Sequence, residues 1–275
     1  MTTSESRRPG APPVPAEPAG HDLLAGKVAL VTAAAGTGIG SATARRLLAE
    51  GATVVVSDAH ARRLGETATA LAGTPRADGS GSAEPLAVTC DVTDEEQVQA
   101  LFAAAVEAHG RLDVVVNNAG LGGTADIVDM TDEQWAKVLD VTLTGTLRCT
   151  RAALRILGPQ GSGVIVNNAS VLGWRAQAGQ AHYAAAKAGV MGLTRSAAVE
   201  AAPFGVRVNA VAPSLAMHPF LSKVTSDELL DELAQREAFG RPAEPWEIAT
   251  VIAFLASDYS TYMTGEVVSV SSQHP

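Results

Sequence analysis

Residues 27–58, KVALVTAAAGTGIGSATARRLLAEGATVVVSD, decide the fold of this chain. The apolar, β-branched run 27–33 predicts a strand, a glycine-rich turn follows it, and a helical pattern then leads into a second strand at 53–57. A strand, a turn, a helix and a second strand in this order form the unit of a parallel sheet with right-handed crossovers.

The turn has the composition of a phosphate-binding loop. Gly36, Gly38 and Gly40, with Ile39 between them, lie where a side chain would keep a pyrophosphate away from the amides at the start of the helix. The strand, turn and helix around these glycines favour dinucleotide binding over a merely tight turn.

Asp58 ends the second strand, where a carboxylate accepts hydrogen bonds from the ribose hydroxyls of NAD and repels the 2′-phosphate of NADP. The sequence therefore predicts NAD as the cofactor. NADP stays open, because Arg62 and Arg63 follow closely and a guanidinium can hold the extra phosphate.

The same alternation continues to the end of the chain and predicts a doubly wound, Rossmann-type α/β fold, with about seven parallel strands and helices on both faces. The further predicted strands are 86–90, 113–117, 163–168, 206–211 and 266–270. The helices are predicted to begin near residues 38, 60, 94, 132, 180 and 244, with capping boxes at Thr93/Glu96 and Thr131/Gln134.

Composition narrows the class of protein. Of the 275 residues, 47% are hydrophobic, which suits one domain at 23–275, and residues 1–22, with five of the 14 prolines, are expected to form a disordered tail. A net charge of −9 argues against a nucleic-acid partner. There is no apolar run of membrane-spanning length, no signal peptide and no metal-ligand spacing around the two cysteines, so we expect a cytoplasmic protein without a membrane partner or a metal.

Three residues carry the predicted chemistry. Tyr183 and Lys187 are one helical turn apart on the same face, and an ammonium near a phenol favours the phenolate and makes the phenol a usable acid–base group. Ser170 lies thirteen residues before Tyr183, after a strand, and so at the ligand-binding edge of a parallel sheet.

With these motifs the chain resembles the short-chain dehydrogenase/reductase family over residues 23–270. The resemblance implies that Tyr183 is the acid–base group, Ser170 polarises the reacting oxygen, and Lys187 binds the nicotinamide ribose and lowers the pKa of the tyrosine. It also implies cofactor contacts and a homotetramer built on helices around 94–109, 132–157 and the C-terminus. The further cofactor-binding positions that it implies are Asp91, Val92, Asn118, Ala119, Gly120 and Pro213.

The sequence departs from the family pattern at three places. Ala33 replaces the first glycine of the turn, and the turn is one residue longer. Thr142 stands where the family usually has an asparagine that helps to hold a water of the proton relay, and Pro213 is followed by Ser214 in place of the usual glycine. A threonine hydroxyl offers fewer hydrogen bonds than an amide, so Thr142 is the least secure member of the predicted site.

The predicted substrate walls are apolar, with Arg175 as the nearby cation. Details such as NNASVLGWRAQ and VAPSLAMHPF resemble an actinobacterial subgroup that acts on CoA-linked ring intermediates of steroid degradation. This resemblance implies an alicyclic hydroxyacyl-CoA or ketoacyl-CoA substrate, with Arg175 or exposed arginines meeting the CoA phosphates. The remaining pocket residues are predicted to be Trp174, Leu215, Met217 and Phe220.

Three functions are compatible with the sequence. The leading hypothesis is an NAD(H)-dependent oxidoreductase that interconverts a secondary alcohol and a ketone. The second is an NADPH-dependent 3-ketoacyl reductase, and the third is a dinucleotide-binding scaffold or sensor without catalysis, which the presence of Ser170, Tyr183 and Lys187 opposes.

Overall fold

The computed structural model describes residues 13–216 and 227–272. Within them, one parallel sheet has the strand order β3-β2-β1-β4-β5-β6-β7, which confirms the predicted doubly wound fold. The strands are β1 (Val28–Val31), β2 (Thr53–Asp58), β3 (Leu86–Thr89), β4 (Val114–Asn117), β5 (Gly163–Asn168), β6 (Val206–Pro213) and β7 (Val267–Val270).

Helices flank the sheet on both faces, and the predicted helix starts agree with the structure to within one residue. They are α1 (Ile39–Ala49), α2 (Ala61–Leu71), α3 (Glu95–His109), α4 (Asp132–Leu139), α5 (Gly145–Gln160), α6 (Ala181–Ala201), α7 (Asp227–Arg236) and α8 (Pro245–Ala256). A π-helical turn, Asp140–Thr144, joins α4 to α5.

One capping prediction is confirmed and one is wrong. Thr131 and Gln134 form the capping box of α4. At α3 the N-cap is Asp94, whose carboxylate accepts from the amides of Glu96 and Gln97, and Thr93 instead donates its amide and hydroxyl to Asp91. An aspartate one residue later is the better cap, because its carboxylate accepts two amides at once.

Two apolar cores lie on opposite faces of the sheet, because successive strand residues point to opposite sides. Val31 and Val116 belong to the core under α1, α2 and α8, whereas Leu30 and Val115 belong to the core under α3, α5 and α6. With both faces covered, the strands have the continuous apolar sequence from which they were predicted.

The strand order reverses between β1 and β4, which pair in parallel at the centre of the sheet. In open parallel sheets the crevice at such a switch point, at the carboxyl ends of the strands, is where ligands bind. The glycine-rich turn follows β1 and the Asn-Asn-Ala-Gly segment overlaps the end of β4, so both predicted motifs meet at this crevice.

Residues before β1 contact α1 through a buried ion pair. Glu50, which is fully buried, pairs with Arg46 and accepts the backbone amides of His21 (2.8 Å) and Leu23 (3.1 Å). Arg46 donates in turn to the carbonyl of Pro18 at 2.5 Å. Part of the segment predicted as a tail therefore packs against the domain.

We expect Glu50→Ala to lower the free energy of unfolding by about 3 kcal/mol, because it leaves the Arg46 guanidinium buried without its carboxylate. The double variant Glu50→Met/Arg46→Met should recover more than half of that loss, since it buries no charge. Chemical denaturation measures both, and a single variant within about 1 kcal/mol of the wild type would contradict the role of this pair.

Candidate active site

The glycine-rich turn leaves the start of α1 open to an anion. Gly38 is the N-cap of α1, no side chain caps the helix, and its first turn has no acidic residue. Gly36 has a positive φ of 88°, and a Cβ added there would meet no atom within 4 Å. Uncapped amides beside an open backbone are what a phosphate-binding turn requires.

The conformation of the turn depends on Gly40, on Ala33 and on the amide of Gly36. A Cβ on Gly40 would lie 2.3 Å from the carbonyl oxygen of Ala33, so only glycine lets the turn close on itself. Ala33, at the family's usual glycine position, adopts a φ of 49°. The amide of Gly36 donates to Thr67 Oγ1 at 2.9 Å, so this amide holds the turn against α2.

Asp58 lies beside the turn, with 13% of its side chain exposed. Its Oδ2 accepts the amide of Ala35 at 3.3 Å and its Oδ1 the amide of His60 at 2.9 Å. Arg62 is exposed and pairs with Glu66. The uncapped helix N-terminus and the carboxylate beside it fit a dinucleotide.

Two of the predicted cofactor-binding residues, Asp91 and Val92, follow β3. The exposed Asp91 accepts the amide of Thr93 at 2.9 Å. Val92 is buried, and a Cβ added to Gly145 of α5 would lie 2.6 Å from its Cγ2, so Val92 also fixes the packing of α5.

A chain of amide hydrogen bonds crosses the crevice. Asn118 Nδ2 donates to the carbonyl of Ala33 in the glycine-rich turn at 3.0 Å, and Asn118 Oδ1 accepts from Asn168 Nδ2 at 2.8 Å. The carbonyl of Asn168 accepts from Lys187 Nζ at 2.5 Å. This chain joins the turn after β1, the ends of β4 and β5, and α6.

The structure brings Ser170, Tyr183 and Lys187 together. The Ser170 side chain hydrogen-bonds the Tyr183 phenol, and Ser170 Oγ also accepts the amide of Leu172 at 3.2 Å. Lys187 Nζ lies 5.5 Å from the centre of the Tyr183 ring. The predicted spacing therefore produces one cluster of a hydroxyl, a phenol and an ammonium.

Burial controls the protonation of this cluster. It raises the pKa of Tyr183 to about 12, against a smaller lowering by the hydrogen bond from Ser170, and it lowers the pKa of Lys187 to about 8. The sequence predicted that Lys187 would lower the pKa of the phenol, and in this structure the direction is the opposite. Desolvation is the larger cause for Tyr183, and the Lys187 ammonium makes its short hydrogen bond to the carbonyl of Asn168.

Thr142 lies in the π-helical turn and is fully buried. Its hydroxyl accepts the amide of Leu121 at 2.9 Å and donates to the carbonyl of the same residue at 3.2 Å. Its own carbonyl accepts from Thr146 Oγ1 at 2.7 Å. The Thr142 side chain thus fixes the loop after β4.

The predicted substrate side is described in part. Trp174 is 42% exposed, Arg175 and Leu215 are half-buried, and Pro213 is buried at the end of β6. Met217 and Phe220, predicted for the same wall, lie outside the described residues.

The described part of the chain has neither a metal-binding cluster nor a membrane-spanning helix. Residues 13–216 and 227–272 hold no group of three or more His, Cys, Asp or Glu side chains arranged to bind a metal ion. Over the same residues, no helix is both long and apolar enough to cross a bilayer.

Comparison with known proteins identifies the family. A family model described as enoyl-(acyl carrier protein) reductase matches residues 33–272. A solved structure described as a short chain dehydrogenase from Mycobacterium smegmatis has 62% identity and a TM-score of 0.82, covering 96% of this chain and 99% of that one. This chain belongs to the short-chain dehydrogenase/reductase family.

Two named relatives are similar over nearly the whole chain. One, from Mycobacterium tuberculosis, is (5R,7aS)-5-hydroxy-7a-methyl-1-oxo-2,3,5,6,7,7a-hexahydro-1H-indene-carboxyl-CoA reductase, with 66% identity over 95% of this chain and 98% of its own length. The other, from Sinomonas cyclohexanicum, is cis-4-hydroxycyclohexanecarboxylate dehydrogenase, with 43% identity over 90% and 96%. As a member of this family, the protein is an oxidoreductase that acts on secondary alcohols and ketones with a nicotinamide dinucleotide.

Asn168 was not predicted as a site residue. Its side chain and its carbonyl are two steps of the amide chain, between Asn118 and Lys187. A signal was present, because polar residues that end a continuous apolar strand, as Asn167 and Asn168 end β5, lie at the ligand-binding edge of a parallel sheet.

We expect Lys187→Met to stabilise the free protein at pH 7. The pKa of Lys187 is about 8 in the folded protein against an ordinary 10.5, which corresponds to a cost of about 3 kcal/mol for burying the ammonium. The variant also loses the hydrogen bond to Asn168, worth about 1 kcal/mol, so its net gain in stability is about 2 kcal/mol. Between pH 8 and 10.5 the unfolded lysine binds more protons than the folded one, so this group makes the wild type more stable as the pH rises.

Denaturation of both proteins at pH 7 and pH 10 measures this effect. The advantage of Lys187→Met should shrink with pH and disappear near pH 10. An advantage that does not depend on pH, or a less stable variant at pH 7, would contradict the cost assigned to the buried ammonium.

Proposed function

We propose that the protein catalyses reversible hydride transfer between NAD(H) and a ketone or secondary alcohol on an alicyclic ring that is carried as a CoA thioester. The observation that carries this proposal is the convergence of Ser170, Tyr183 and Lys187 at the crevice where β1 and β4 diverge. When bound, the dinucleotide supplies or accepts the hydride.

The proposed roles of the residues follow from their protonation. In the reductive direction the Tyr183 phenol, which is protonated at neutral pH, donates its proton to the carbonyl oxygen, and Ser170 hydrogen-bonds the same oxygen. Lys187 binds the nicotinamide ribose and places positive charge near the phenol as its proton leaves. In the oxidative direction the same groups act in reverse, and the phenol must first lose its proton.

The substrate class is supported by both named relatives. The names of both relatives describe a ring-bearing carboxylic acid or its CoA ester, and one of them is the relative with 66% identity. We also propose, from the family resemblance, a cytoplasmic homotetramer. Trp135 of α4 and Leu147 of α5 are each 40% exposed and suit helix contacts between subunits.

We expect Tyr183→Phe to retain less than a tenth of the wild-type kcat/KM with an alicyclic ketoacyl-CoA, because it removes the hydroxyl that donates the proton to the carbonyl oxygen. NADH binding, measured by fluorescence titration, should change less than threefold. Tyr259→Phe is the matched control, since Tyr259 is 75% exposed and far from Tyr183 in the sequence.

Other outcomes separate the alternative functions. If the variant retains more than a tenth of the activity, the role of Tyr183 is wrong. If the wild type binds NADH but turns over neither ring-bearing nor linear thioesters, the scaffold hypothesis is favoured. A wild type that prefers linear 3-ketoacyl thioesters and NADPH is instead the 3-ketoacyl reductase.

We expect Asp58→Ser to raise the ratio of kcat/KM for NADPH over NADH at least tenfold, because it removes the carboxylate that repels a 2′-phosphate and binds the ribose. The dissociation constants of the two reduced dinucleotides should shift in the same direction. Asp78→Ser changes the net charge equally on the distant loop between α2 and β3 and should leave the ratio unchanged; an unchanged ratio in Asp58→Ser would contradict the NAD assignment.

A further inference from the structure

The loop after β4 faces the first turns of α6 through three glycines. A Cβ added to Gly120 would lie 3.3 Å from Lys187 Nζ, one on Gly122 would lie 3.8 Å from Tyr183 Cδ2, and one on Gly123 would lie 3.2 Å from His182 Nε2. The absence of a side chain at these three positions therefore leaves space next to the residues that carry the proposed chemistry.

Neither backbone nor packing requires glycine at position 122. Its φ lies outside the left-handed region, so any residue can adopt its conformation. The residue is exposed, and among the described residues an added Cβ would meet only the Tyr183 ring within 4 Å, at ordinary contact distances of 3.8 and 4.0 Å. The space left open at Gly122 thus lies against the edge of the phenol.

The loop cannot easily move to make room for a larger side chain. The amide and the carbonyl of Leu121, the preceding residue, both hydrogen-bond the Thr142 hydroxyl, at 2.9 and 3.2 Å. Further along, the amide of Ala125 donates to the carbonyl of Gly179, just before α6, at 3.0 Å. On this side of Tyr183, the space is therefore limited by the side chain at position 122.

We propose that Gly122 is a specificity-determining residue that admits fused-ring ketones to the site. This inference rests on the proposed function. A ketone oxygen that reaches both Ser170 and Tyr183 brings its two neighbouring carbons alongside the phenol. In a linear acyl chain those carbons can rotate away, but in a fused bicyclic ring they are fixed and carry the second ring with them, so only a bare backbone leaves enough width.

The test compares wild type, Gly122→Ala, Gly122→Val and the control Gly65→Ala with three CoA thioesters. Gly65 is an exposed residue of α2 whose added Cβ would meet no atom within 4 Å. The thioesters carry a fused bicyclic ketone, a single-ring ketone (4-oxocyclohexanecarboxylate) and a linear ketone (acetoacetate). NADH affinity and thermal melting confirm that each variant is folded.

For the bicyclic thioester, kcat/KM should fall about tenfold in Gly122→Ala and at least a hundredfold in Gly122→Val, since each added carbon takes space from the ring. The linear thioester should change less than threefold, the single-ring one should lie between, and Gly65→Ala should match the wild type.

Equal losses for all three thioesters, or no loss for the bicyclic one, would overturn the role of Gly122. A variant that no longer binds NADH or melts far below the wild type would also overturn it, because the position would then be structural. Failure of the proposed function is distinguishable, because it appears in the wild type as a lack of turnover with every thioester.

Discussion

The chain of amide hydrogen bonds from Ala33 through Asn118 and Asn168 to Lys187 connects the two halves of the site. Strands β1, β4 and β5 end at the crevice on separate loops, and no regular secondary structure joins those loops. The two asparagine side chains span the gap because an amide both donates and accepts. The chain fixes the glycine-rich turn relative to α6, and so fixes the proposed cofactor site relative to Tyr183.

Burial is the second consequence of bringing these elements together. Lys187 is 3% exposed, and removing it from water lowers its pKa to about 8, while the same surroundings raise the pKa of the Tyr183 phenol to about 12. A buried ammonium opposes folding, and its hydrogen bond to the carbonyl of Asn168 offsets part of that cost. A site that needs both a phenol acid and a cation is therefore maintained at the expense of stability.

Most of the fold could be predicted from the sequence, because continuous apolar strands and amphipathic helices alternate and the turn residues agree with them. The predicted cluster of Ser170, Tyr183 and Lys187 formed because helical spacing and strand ends are local rules. The amide of Gly36 could not be assigned from the pattern, since its acceptor, Thr67, lies 31 residues away. The role of Thr142 could not be assigned from the pattern either. Its hydroxyl accepts the amide of Leu121, 21 residues earlier, and no sequence spacing predicts that contact.

The direction of the Tyr183 pKa shift was predicted wrongly for a related reason. The positions of Tyr183 and Lys187 show that the two side chains are close, but they do not show how much water the fold removes from each. Desolvation depends on the whole surroundings of a side chain, which the spacing between two residues does not reveal. Helix α7 was also not predicted, because it does not lie directly between two apolar strands.

The central claim is that the fold desolvates Tyr183 and so keeps its phenol protonated well above the pH at which a phenol in water ionises. The chain has three tyrosines, and Tyr259 and Tyr262 are both exposed, so in the double variant Tyr259→Phe/Tyr262→Phe the phenolate absorbance near 295 nm reports on Tyr183 alone. The account predicts no phenolate signal up to about pH 10.5, where a phenol in water, with a pKa near 10, would already be largely ionised. A phenolate that appears with a midpoint at or below about pH 10, the value of a phenol in water, would contradict it.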